Sequence, residues 1–166
     1  MHPTIVCAVE QDRVYRQVLG LADDLAERLG RELVVVHVAI PDLLGAGDPV
    51  ATAGVAIAPI AAIPYPAPLP ADAEDELFQE RRRRTHDQVR RLVAEAGGAG
   101  ARVEVAFDAT VVGGLRAFAR EHRAELLVVG SHGRGAARAA LLGSTVHDLV
   151  RDAPCPVVVV PCEDTQ

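Results

Sequence analysis

Five short apolar runs separated by helical patterns leave this chain little choice of architecture. The runs are Thr4–Val9, Leu33–Val38, Val103–Phe107, Leu126–Val129 and Val157–Val160. Between the first two, Val14, Val18, Leu21, Ala22, Leu25 and Leu29 recur at spacings of three and four, which puts one apolar stripe of a helix against a sheet. Gly30 stops that helix, and Asp12 is expected to cap its start. The LVVVHV run at 33–38 is continuously apolar and β-branched, as in a parallel strand buried on both faces. Strands alternating with helices predict a doubly wound α/β sheet of five parallel strands, with right-handed crossovers and helices on both faces.

The remaining elements fit the same scheme. A helix is expected from Asp72 to Ala96, with acidic residues at its start favourable to the helix dipole and Gly97-Gly98 at its end. RVEVAFD alternates, which places the third strand at a sheet edge. Asp108 or Thr110 caps the helix that follows. Prolines 154, 156 and 161 bracket the last strand, which also reads as an edge. Arg81 to Arg84 are expected to form a solvated helical surface paired locally with Glu80 or Glu76.

Composition narrows the function. The 166 residues suit a single domain, and 49% hydrophobic content with only 3% aromatics implies an aliphatic core. A net charge of −6 argues against broad nucleic-acid binding. No apolar stretch approaches a membrane span, and MHPTIVCAV lacks a basic region and cleavage site, so a soluble cytoplasmic protein is expected. Cys7, Cys155 and Cys162 are few, odd in number and not spaced as zinc ligands. Seven of the eleven prolines fall between Pro41 and Pro70. That stretch, a Pro/Ala-rich insertion at about 41–71, excludes a regular helix or central strand. It covers the functional site, covers a partner subunit, or is a mobile loop; the residues alone leave all three open.

The chemistry concentrates where the fourth strand ends. Gly130, Ser131, His132 and Gly133 follow the apolar run, and Gly143, Ser144 and Thr145 open a helix nine residues later. A strand that stops at glycine can turn sharply, and Gly133 lets a ligand approach the main chain. The small residues at a helix start expose backbone N–H groups and the positive dipole end to an anion, which points to phosphate. Ser144 can cap that helix or bind a phosphate oxygen. Arg134 and Arg138 lie between the glycine clusters and can add charge-assisted hydrogen bonds. His132 either hydrogen-bonds phosphate or is exposed. Without a ligand role the same spacing is a flexible glycine loop.

The run G130-S-H-G133, nine residues, then G143-S144 resembles the G-x2-G-x9-G-[ST] motif of the universal stress protein family, and PCPVVVVP at 154–161 is similar to that family's last strand. The resemblance implies strand order 3-2-1-4-5 and a ligand crevice where the winding reverses between strands one and four. It implies ATP or a related adenine nucleotide as ligand, with Mg²⁺ held through the phosphates. Carried over residue by residue, it implies nucleoside contact at Glu10 and adenine-side positions at Val38 and Ala39. Family members often read V-D-x-S where this chain reads V9-E10-Q11-D12, so the carboxylate is kept but is one methylene longer. On its own, Glu10 reads equally as a solvated turn residue, and Val38 and Ala39 as sheet-end packing.

The resemblance further implies a homodimer through strand 157–160, antiparallel across a two-fold axis. If the axis falls between Val158 and Val159, Cys155 of one chain stands opposite Cys162 of the other. No G-x4-G-K-[ST] loop, SGG or HIGH motif, or nucleophile–base pair is present, so an enzyme is not expected and any ATP hydrolysis would be slow and incidental. Three readings follow: a nucleotide-binding stress-response protein, a weak ATPase, and a family member that binds no nucleotide and serves as a dimeric interaction module.

Overall fold

The computed structural model describes residues 3–11, 14–40, 71–131 and 144–162. Their elements run β1 (Thr4–Ala8), α1 (Arg16–Leu29), β2 (Glu32–Ala39), α2 (Ala71–Glu95), β3 (Arg102–Phe107), α3 (Val111–Glu121), β4 (Ala124–Gly130), α4 (Ser144–Asp152) and β5 (Val157–Val160). All strand pairs are parallel, and the order is β3-β2-β1-β4-β5. The expected strand order and both expected edge strands are therefore found.

Alternation along the strands divides the core into two layers. Ile5, Cys7, Leu33 and Val35 face α1 and α2, where Val18, Leu19, Ala22, Val89 and Val93 meet them. Val6, Val34, Val36, Val38, Leu127 and Val129 face α3 and α4, against Leu115, Phe118, Val146 and Leu149. The continuous β-branched run of β2 thus serves both layers, as burial on two faces requires. The helices of the β1–β2–β3 half lie on one face and those of the β4–β5 half on the other. The winding reverses between β1 and β4.

Helix ends follow local chemistry with one exception. Gly30 closes α1 in the left-handed region, at φ 63°, where a Cβ is disfavoured. The Thr110 side chain accepts from the Gly113 N–H at 3.0 Å and caps α3, while Asp108 Oδ1 accepts from the Thr110 N–H. Asp12, expected to cap α1, lies outside the described residues. Tyr15 occupies the α1 N-cap and makes no side-chain capping bond, so the helix begins after the position its apolar stripe suggested.

Candidate functional site

The reversal of winding puts the C-terminal ends of β1 and β4 side by side, with the end of β2 flanking β1. Beyond β1, the Val9 N–H donates to the Val36 carbonyl at 2.9 Å, which extends the ladder by one residue. His37, at the end of β2, donates from Nδ1 to the Val9 carbonyl oxygen at 3.0 Å. Both bonds hold the backbone that carries Glu10, which is half-buried just past the strand. Gln11 continues the turn, and its side-chain amide donates to Gln88 of α2 at 3.3 Å.

At the end of β4, Gly130 remains paired with Val160 of β5, so it is the last residue of the strand. It does not adopt a left-handed φ. The reason for glycine differs from a sharp turn: a Cβ there would stand 2.7 Å from Cys162 Sγ. Ser131 is buried. Its N–H donates to the Val160 carbonyl at 2.8 Å, and its hydroxyl oxygen accepts from the Cys162 N–H at 3.1 Å. Ser131 therefore ties the mouth of the crevice to the segment leaving β5.

Val38 is buried in the α3–α4 layer, where its Cγ1 would lie 2.5 Å from a Cβ on Gly114. Ala39 stands next, half-buried, and its carbonyl accepts from the Asp108 N–H at 3.3 Å. Across the crevice, Ser144 is exposed and opens α4, and Thr145 is half-buried behind it. The first N–H groups of a helix have no partner within it. His132, Gly133, Arg134, Arg138 and Gly143 lie outside the described residues.

The structure thus brings Glu10 together with Gly130 and Ser131 at the reversal point, with Val38 and Ala39 beside them. His37 is a positioning residue that the sequence did not single out. Its signal was a polar side chain closing an otherwise apolar strand. Among the described residues, no group of three or more His, Cys, Asp or Glu could hold a metal ion, and no helix is long and apolar enough to cross a membrane.

A family model for the universal stress protein family matches residues 51–161, two thirds of the sequence. The chain belongs to the universal stress protein family. A universal stress protein of Mycobacterium tuberculosis is 51% identical over 43 residues, a stretch covering 26% of this chain and only 15% of that relative's length. The fold recurs in a universal stress protein from Archaeoglobus fulgidus in complex with dAMP, at 20% identity and TM-score 0.50, covering 95% of this chain and 97% of that one. It recurs again in a universal stress protein in complex with cAMP, at 19% identity and TM-score 0.54, covering 96% and 97%.

The cysteine geometry corrects one expectation. Cys155 packs with Val157 and Val159 in the α3–α4 layer, and Cys162 packs with Val158 and Val160 in the α1–α2 layer. Residues directly opposite one another in an antiparallel ladder share a face. Cys155 of one chain and Cys162 of another cannot be opposite across paired β5 strands, because they point to different faces.

Proposed function

We propose that this chain binds an adenine nucleotide, ATP foremost, at the β1–β4 crevice and acts as a stress-response regulatory protein in the cytoplasm. The observation that carries this reading is where the two ends of the G-x2-G-x9-G-S run fall. The run leaves β4 at the point where the winding reverses and ends at the first residue of α4. Ligands of open α/β sheets bind there, and a helix start favours an anion.

Glu10 is offered to the nucleoside, with the β2 end at Val38 and Ala39 on the adenine side. Ser144, Thr145 and the loop glycines Gly133 and Gly143 are offered to the phosphates, with Arg134 adding charge, whereas the Ser131 N–H is already taken by the Val160 carbonyl. Among the described residues no cluster of His, Cys, Asp or Glu could hold a metal, and a Mg²⁺ ion would be held through the phosphates. The two adenylate complexes among the structural neighbours support this ligand class. The protein is read as a homodimer through β5, and its function as binding rather than catalysis.

The experiment is titration of the purified chain with ATP, ADP and AMP by calorimetry, after mass identification of any nucleotide released on denaturation. Gly133→Val and Gly143→Val are expected to abolish binding while leaving circular dichroism unchanged. Unaltered affinity in both variants removes the loop from the site and leaves the interaction-module reading. Catalysed ATP turnover would replace binding by enzymatic action.

A further inference from the structure

We propose, on the adenylate reading above, that His37 governs nucleoside affinity through Glu10, as a clasp joining the two walls of the nucleoside slot. The register of β1 and β2 ends at Ala8 and Val36. One more backbone bond follows, from the Val9 N–H to the Val36 carbonyl at 2.9 Å. In a regular parallel ladder the next donor, to the Val9 carbonyl, would be the backbone N–H of Val38. The donor found there is a side chain, His37 Nδ1 at 3.0 Å. The imidazole thus bridges the two strands where their ladder stops and the crevice begins.

The bridge falls one residue before Glu10. Leu33 and Val35 of β2 face the α1–α2 layer, and alternation puts His37 on that face with Val38 on the other. His37 and Val9 are both half-buried, which shields the bond from competition by water. One residue beyond Glu10, the Gln11 amide donates to Gln88 of α2 at 3.3 Å. The turn is therefore anchored on both sides of the carboxylate.

The two anchors are not equivalent. The Gln11–Gln88 pair is exposed, whereas His37 belongs to the strand that carries Val38 and Ala39. One side chain therefore fixes the Glu10 backbone relative to the base-side end of β2. A glutamate has many rotamers, so its carboxylate is only as well placed as the main chain beneath it. Holding that main chain before the ligand arrives reduces the ordering that binding must supply.

The test uses the full chain. His37→Leu keeps an apolar body of similar size and removes the donor, and His37→Asn returns an N–H at the place of Nδ1. Calorimetry is expected to show His37→Leu weakening ATP, ADP and AMP by one common factor, about fivefold, as the loss of a single hydrogen bond implies. His37→Asn should recover most of that loss. In a Glu10→Ala chain, adding His37→Leu should change ATP affinity by less than about twofold, because the group it acts through is gone. Without nucleotide, His37→Leu should speed exchange of the Val9 amide proton by about fivefold and leave Val6, in the middle of β1, unchanged. A greater loss for ATP than for AMP would assign His37 to the phosphates and overturn the proposal. Additive effects with Glu10→Ala, failure of His37→Asn to rescue, or unaltered exchange at Val9 would each overturn it too. Wild type that binds no adenylate would overturn the functional reading as well, a result distinct from tight binding that is indifferent to residue 37.

Discussion

Cys162 Sγ lies 2.7 Å from where a Cβ on residue 130 would stand, so a side chain at 130 requires the Cys162 sulfur to move. The same sulfur donates to the Val160 carbonyl at 3.5 Å. Gly130→Ala is therefore expected to cost about 1–3 kcal/mol, the usual penalty for overpacking. Gly130→Ala combined with Cys162→Ala should recover most of it. Urea denaturation of the four chains of this cycle measures the coupling, and strict additivity would show that the sulfur is not the obstacle.

Val38 and Gly114 stand in a similar relation on the other face of the sheet. A Cβ on Gly114 would lie 2.5 Å from Val38 Cγ1, so α3 rests close against the end of β2. Gly114→Ala should destabilise the fold by roughly 1–3 kcal/mol and push Val38 out of register with the crevice. Val38→Ala in the same chain should relieve the clash. If Val38 frames the adenine, Gly114→Ala also weakens adenylate binding in calorimetry, although residue 114 sits outside the phosphate loop.

These two contacts mark where the sequence stops being legible. Order and type of elements were readable because periodicity reports burial: LVVVHV suggested a strand covered on both faces, and RVEVAFD one at an edge. Gly30 and Thr110 were readable because their roles are local. Gly130 was not, because its constraint comes from Cys162, which is distant in sequence. His37 was missed for the same reason, since the carbonyl it holds belongs to another strand. The opposite facing of Cys155 and Cys162 was available from the start. They flank β5 seven positions apart, an odd number, and alternation carried outward from the strand places them on different faces.

Cys7 supplies a pH prediction. It is fully buried in the centre of β1, and desolvation pushes its thiol from 9.0 up to about 12. The unfolded chain releases this proton at the lower value, so between about pH 9 and 12 the unfolded state binds fewer protons and stability falls as pH rises. The chain contains no lysine, which leaves few other groups titrating in that window. Urea midpoints should decline across it, and Cys7→Ala should flatten the decline while lowering stability at neutral pH. An unchanged slope would assign the alkaline loss to the tyrosines or the other thiols.

The last prediction concerns the β5 edge. Among the described residues β5 pairs only with β4, which leaves its other side open, and an apolar edge of this kind invites a second strand. Val158 lies mid-strand on the α1–α2 face. Lysine there puts a charge into any joined sheet, so Val158→Lys is expected to convert a β5-paired dimer to monomer in sedimentation velocity, with circular dichroism unchanged. Face alternation adds a second outcome. Two-fold antiparallel pairing opposes residues of the same face, so mild oxidation of the wild-type dimer should give no Cys155–Cys162 bond between chains on a non-reducing gel. Rapid, quantitative formation of that bond in wild type, with none in Val158→Lys, would mean that β5 pairs with its copy in a geometry other than a regular ladder.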